Sequence, residues 1–147
     1  MCPPAPPAAR NRFVRARDDR QGEIAEDYVE LIDDLIRERG EARAVEIARA
    51  LGVSHVTVIR TVGRLARDGL VATEPYSAVL LTEAGRALAR RARARHEIVA
   101  GFLQAIGVDE ATAREDAEGM EHHASETTLR AMQKMMKFLQ KAGKLTE

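Results

Sequence analysis

The stretch from residue 42 to 67 constrains the fold more than any other. Val45, Ile47, Ala48 and Leu51 supply the apolar side of one short helix, and Gly52-Val53 makes a tight turn in which glycine is free to take positive φ. Ser54 is placed to cap a second helix that runs to Arg67, with Val58, Val62 and Leu65 facing inward. The small Ala48 lets the two helices approach, and Gly52 lets them cross sharply: helix-turn-helix spacing. Ser54, His55, Thr57, Arg60, Thr61 and Arg64 are left facing out, and all of them can bond base edges or phosphates. An ordinary helical hairpin with a polar outer face has the same pattern. The next dozen residues favour DNA: Leu70–Thr73 and Ala78–Leu81 read as short strands around the turn Glu74-Pro75-Tyr76-Ser77, a wing whose tip residues Tyr76 and Ser77 can touch the minor groove or the backbone.

The flanks are helical. Over 23–39, Ile24, Tyr28, Leu31, Ile32, Leu35 and Ile36 form a stripe ended by Gly40, with Asp27 beside it and Glu30 nearly opposite. Thr82 caps a long helix from Glu83 to Ile106, about 36 Å at ~1.5 Å per residue, long enough to join two domains. His96 lies in its middle, where a lone histidine is more often structural than a ligand. Asp109 caps the next helix, on which Glu118, Glu121 and His122 share a face at i, i+3 and i+4. Two carboxylates and an imidazole there suit a divalent ion of the manganese or iron type, with a solvated acidic face as the alternative. Ser125 caps a last helix whose Leu129, Met132, Met136 and Leu139 form a seam, core or dimer contact, so a homodimer is expected.

Charge follows the same division. Residues 23–39 carry seven acids against two arginines and 97–123 seven against one, whereas 40–96 carry ten arginines against five acids. A basic middle between acidic stretches suits a nucleic-acid surface beside a cation site. With 3% aromatics and no Trp, the core must be aliphatic side chains on helices. No stretch approaches a membrane span or a signal region, and Cys2, the only cysteine, excludes a disulfide framework; a cytoplasmic protein is expected. No phosphate loop and no nucleophile triad is found. Residues 1–10, with four prolines, are expected to form no regular element, and 11–22 either extend a helix or stay loose.

Asp27-Tyr28-Val29-Glu30, the segment from Ala48 to Leu65, Arg95-His96-Glu97, Ile106-Gly107-Val108-Asp109 and Glu118-Gly119-Met120-Glu121-His122-His123 together resemble the manganese regulators of the diphtheria toxin repressor family over about 23–140. The resemblance implies a ligand set of Asp27, Glu30, His96, Glu118, Glu121 and His122, and no role for His123. The iron-responsive branch has Met in place of Asp27 and Cys in place of Glu118, and usually a third domain that 147 residues cannot hold. All-hard ligands favour Mn(II), with Fe(II) the close alternative. Four carboxylates in one space would be balanced by two dications, so two ions per subunit are expected.

The expected fold is mostly α: an N-terminal extension (1–22), a winged helix-turn-helix with a two-stranded wing (23–82), and an all-helical metal-binding and dimerisation domain (83–147). The expected function is a cytoplasmic, homodimeric, manganese-responsive repressor of metal-uptake genes on a palindromic operator in double-stranded DNA, with no membrane and no organic substrate. The alternatives are an Fe(II)-responsive regulator of the same family, a winged-helix protein switched by an organic ligand, and a small metal-dependent hydrolase.

Overall fold

The computed structural model describes the backbone of residues 7–143 and the side chains of 13–143. Six helices and a two-stranded sheet succeed one another in order: α1 (Pro7–Arg39), α2 (Ala44–Leu51), α3 (His55–Arg67), β1 (Val71–Ala72), β2 (Leu80–Leu81), α4 (Glu83–Ala105), α5 (Glu110–Met120) and α6 (Glu126–Lys141). Among the described residues no helix is long and apolar enough to cross a membrane. The expectations for Cys2, for the rest of residues 1–6 and for 144–147 lie outside the described residues.

The first helix corrects the sequence reading at its start. It begins at Pro7, inside the stretch expected to be irregular. Proline's fixed φ suits the first helical position, and the Ala and Arg residues after it are good helix formers. At the other end Gly40 takes φ 84° and its N–H bonds the Ile36 carbonyl, which stops the helix.

Two cores lie along this frame. In the first, Tyr28, Val29, Ile32 and Leu35 of α1 pack on Ile47, Val58, Val62 and Leu65 of the helix-turn-helix, with Val71, Val79 and Leu81 of the wing and Ala89 of α4. Val45, expected inward, is exposed instead, because α2 buries only Ile47 completely. The wing is antiparallel, Val71 opposite Leu81 and Ala72 opposite Leu80, and Val79 donates to the Ala42 carbonyl at 2.8 Å, tying it to the α1–α2 loop. In the second core Val99, Ala100 and Leu103 of α4 meet Ala113 and Ala117 of α5 and Leu129 of α6. Helix α4 passes from one core to the other, and its start is locked by Thr82, whose hydroxyl caps the Gly85 N–H and donates to the Gly69 carbonyl at 2.6 Å. On α6, Met135 and Phe138 are exposed beside the half-buried Met132 and Met136, an apolar face left outside the core.

Candidate metal centre and nucleic-acid interface

The acidic half of α1 crosses α4 where α5 ends. His96 on α4 turns Nδ1 to Glu121 Oε2 at 2.9 Å and to Glu118 Oε1 at 3.5 Å. Ligand atoms of His96, Glu118 and Glu121 all lie within 4.8 Å of one another. From α1, Asp27 Oδ1 reaches His122 Nε2 at 3.3 Å, and the same nitrogen is 3.7 Å from Glu121 Oε1. Glu30 is half-buried and feels the charges of Glu118, Asp27 and His122. Five of the six expected ligands are therefore in mutual contact, and Glu30 lies near enough to feel their charges, although the six span residues 27 to 122 of the chain.

The backbone differs from the sequence reading in one respect. Helix α5 ends at Met120, so Glu121 is its C-cap and His122 stands in the turn beyond it, not on a continuing helical face. That turn swings the imidazole across to α1.

The electrostatics are those of too much negative charge in too little water. Glu121, only 2% exposed, is pushed up to about 8 by its burial, then by Glu30 and Glu118. Burial also raises Glu30, to about 7, and Asp27. At ~4 Å two like charges cost about 4 kcal/mol at intermediate dielectric. Carboxylates that hold protons near neutrality are groups a cation can ionise. Hard oxygens with one or two imidazoles fit a manganese- or iron-type dication, and nothing in the donor set asks for a softer metal.

Two residues of this centre carried no role in the sequence reading. Glu26 Oε2 holds His122 Nδ1 at 2.7 Å, and Arg95 donates to the Glu121 carbonyl at 2.5 Å. Glu26 stood in an acid-rich run where spacing selected Asp27 and Glu30. Arg95 was one arginine among five in its helix. Farther along, Arg93 donates to Asp33 at 2.6 Å and pairs with Asp34, clamping α1 onto α4.

On the winged helix, Ser54, His55, Thr57, Arg60, Tyr76 and Ser77 are exposed. The Ser54 hydroxyl accepts the Thr57 N–H at 3.1 Å and bonds the Thr57 hydroxyl at 2.9 Å, so these two are partly engaged by the cap. Thr61 and Arg64, expected to face out, are half-buried, and Arg64 Nη2 is buried without a partner. Their positions on α3 flank the core side, whereas Arg60 lies on the open face. The fully exposed Tyr76 sits at the wing tip with φ 63°, a conformation uncommon outside glycine. Val56 and Ile59, which the sequence reading passed over, are exposed on α3, and apolar groups there suit thymine methyls.

Known proteins share this fold. Residues 22–79 match the family model "Iron dependent repressor, N-terminal DNA binding domain", and 82–144 match "Iron dependent repressor, metal binding and dimerisation domain". The chain belongs to the iron-dependent repressor family. This is the diphtheria toxin repressor family of the sequence resemblance, and the relatives are its MntR-type members. The transcriptional regulator MntR of Escherichia coli O6:H1 is 50% identical over 131 residues, covering 89% of this chain and 83% of the relative. The HTH-type transcriptional regulator MntR of Bacillus subtilis is 43% identical over 100 residues, covering 68% and 70%. A solved manganese-dependent transcriptional repressor in complex with manganese superposes with TM-score 0.68 at 28% identity, covering 78% of this chain and 53% of that one. The manganese regulator SloR gives 0.66 at 26% identity, covering 78% and 54%, so the chain spans about half the length of these solved proteins. Members of this family are transcriptional regulators with a DNA-binding and a dimerisation domain, not enzymes, and the hydrolase reading gives way.

Proposed function

We propose that the chain is a manganese-responsive transcriptional repressor. Its homodimer reads a roughly palindromic operator in the cytoplasm and shuts off metal-uptake genes when Mn(II) is plentiful. Asp27, Glu30, His96, Glu118, Glu121 and His122 serve as ligands for two Mn(II) per subunit. Ser54, His55, Thr57, Arg60, Tyr76 and Ser77 face DNA, and the half-buried Thr61 and Arg64 lie at the edge of that surface. The observation that carries the reading is the meeting of the Asp27 and Glu30 pair of α1 with His96 of α4 and Glu118, Glu121 and His122 at the end of α5. The names of the MntR relatives and of the manganese-dependent repressor support it.

Bound dications supply the positive charge that lets four carboxylates ionise in one space. The chain does the rest. Helix α1 carries Asp27 and Glu30 on one side and buries Tyr28, Val29, Ile32 and Leu35 in the winged-helix core on the other. A change in how α1 seats on α4 and α5 is thus a change in the spacing of the two reading heads of a dimer. A ligand that favours one seating shifts that equilibrium by its differential affinity and by no more.

The test is operator selection from random DNA by chelator-treated dimer supplied with Mn(II), Fe(II) or no metal. We expect a palindrome enriched with Mn(II) and lost without it. Retention of DNA that is indifferent to metal overturns the proposal. Preference for Fe(II) at equal free concentration moves the chain to the iron-responsive reading.

A further inference from the structure

Two side chains stand one position ahead of proposed ligands: Glu26 before Asp27, and Arg95 before His96. On a helix, neighbours point about 100° apart, so each reaches the 121–124 turn from beside its ligand neighbour. Glu26 and Asp27 take the two nitrogens of one imidazole. Glu26 Oε2 is 2.7 Å from His122 Nδ1, and Asp27 Oδ1 is 3.3 Å from Nε2. Arg95 joins the same group from the other side. Its Nη1 is 3.4 Å from Glu26 Oε1, and Nη2 donates to the carbonyls of Glu121 at 2.5 Å and Ala124 at 3.1 Å. The Glu121 carbonyl belongs to the α5 C-cap and the Ala124 carbonyl directly precedes the α6 cap, so an arginine from another helix ties together the two ends of the turn.

We infer that Glu26 and Arg95 are positioning residues for the metal centre, Glu26 by setting the tautomer of His122 and Arg95 by fixing the turn that carries Glu121 and His122. The inference rests on the metal reading above for its purpose, though not for its geometry. An ionised carboxylate only accepts hydrogen bonds. Of the two carboxylates Glu26 is the nearer, at 2.7 Å against 3.3 Å, and it is the acceptor assigned to an Nδ1–H, an assignment that leaves the Nε2 lone pair toward Asp27 and Glu121. Free imidazole gives no such assurance. A carboxylate behind a histidine fixes ring orientation and raises ligand basicity, and losing one typically lowers metal affinity 10–100-fold. Arg95, paired to Glu26 Oε1, orients that carboxylate while holding the backbone on which the imidazole is mounted.

The test begins with chelator-treated, full-length wild-type protein and long-range proton–nitrogen spectra of its histidines at a pH where the rings are neutral. His122 is expected with the proton on Nδ1. Finding it on Nε2 overturns the inference with no variant needed. In Glu26→Ala the proton is expected to redistribute toward Nε2, and in Glu26→Gln, whose amide oxygen still accepts, to stay on Nδ1. Competition titration with Mn(II) should then show a loss of roughly 10–100-fold for Glu26→Ala, a smaller loss for Glu26→Gln, and for Arg95→Lys a loss accompanied by faster amide exchange over 121–124. Unchanged tautomer and affinity in Glu26→Ala refute it. Failure of the wild type itself to take up Mn(II) refutes the metal reading instead, and the tautomer result distinguishes the two.

Discussion

Replacing Glu121 by glutamine should make the chelator-treated protein more stable at alkaline pH, although it removes a proposed ligand. The carboxyl stands at about 8 in the folded chain against an ordinary value of 4.5. Below 4.5 both folded and unfolded chains hold the proton, and burial costs nothing. Between 4.5 and 8 the unfolded chain releases it first, so stability falls as pH rises; above 8 the loss is complete. At ~1.36 kcal/mol per unit the ceiling is about 5 kcal/mol. The hydrogen bond with His96, worth about 1–3 kcal/mol where a charged group takes part, weakens in the variant and trims the gain. A net difference of ~2–4 kcal/mol between the two pH profiles remains, on the order of 10 °C in Tm for a chain of this size. The assay is urea unfolding followed by helical circular dichroism at about pH 5 and 8.5, with chelator, for both proteins. With Mn(II) at a hundred times its Kd the gap between the two should close by ~2.7 kcal/mol, because only the wild type gains what binding contributes. Parallel pH profiles for the two proteins, or a wild type that gains on the variant toward alkaline pH, would refute the reasoning.

Three further outcomes are expected. Arg60→Ala should weaken operator binding and lower the slope of log K against log salt by about 1 while leaving Mn(II) uptake intact; an unchanged slope removes Arg60 from the phosphate contacts. Gly85→Ala puts a Cβ 2.0 Å from the Leu70 carbonyl oxygen and should cost several kcal/mol (on the order of 3) in thermal melts, whereas Gly101→Ala meets only the end of the unbranched Met136 side chain, its sulfur at 3.2 Å, and should cost under ~1 kcal/mol; equal losses contradict the packing described. Thr82→Val deletes both the α4 cap and the bond to the Gly69 carbonyl, and a loss of about 1–2 kcal/mol should appear as a lower urea midpoint; an unmoved midpoint counts against the lock.

What the sequence made legible was mostly local. Ser54, Thr82, Asp109 and Ser125 each cap the helix assigned to them, accepting the N–H three residues on, because a cap needs one side chain and its own backbone. The wing was legible for the same reason, although its paired strands are two residues each. The six proposed ligands were selected together only with help from a family resemblance, since no local rule brings residue 27 to residue 122. Tertiary contacts account for the rest. Arg95 reaching the Glu121 carbonyl, Arg64 half-buried on a face that looked open, and α5 ending one residue before its last carboxylate all depend on what another helix presents. The start of α1 at Pro7 lacks an apolar period, and only helix propensity argued for it.

Asp27 and Tyr28 are consecutive residues of an unbroken helix, one turned to the acidic cluster and the other sealed in the DNA-reading domain. Inserting a single residue between Glu30 and Ile32 would turn the two halves of α1 about 100° out of phase. Sensor and reader cannot drift apart in evolution by a loop-length change, as joined modules can. Any sequence that keeps both jobs must keep this phase.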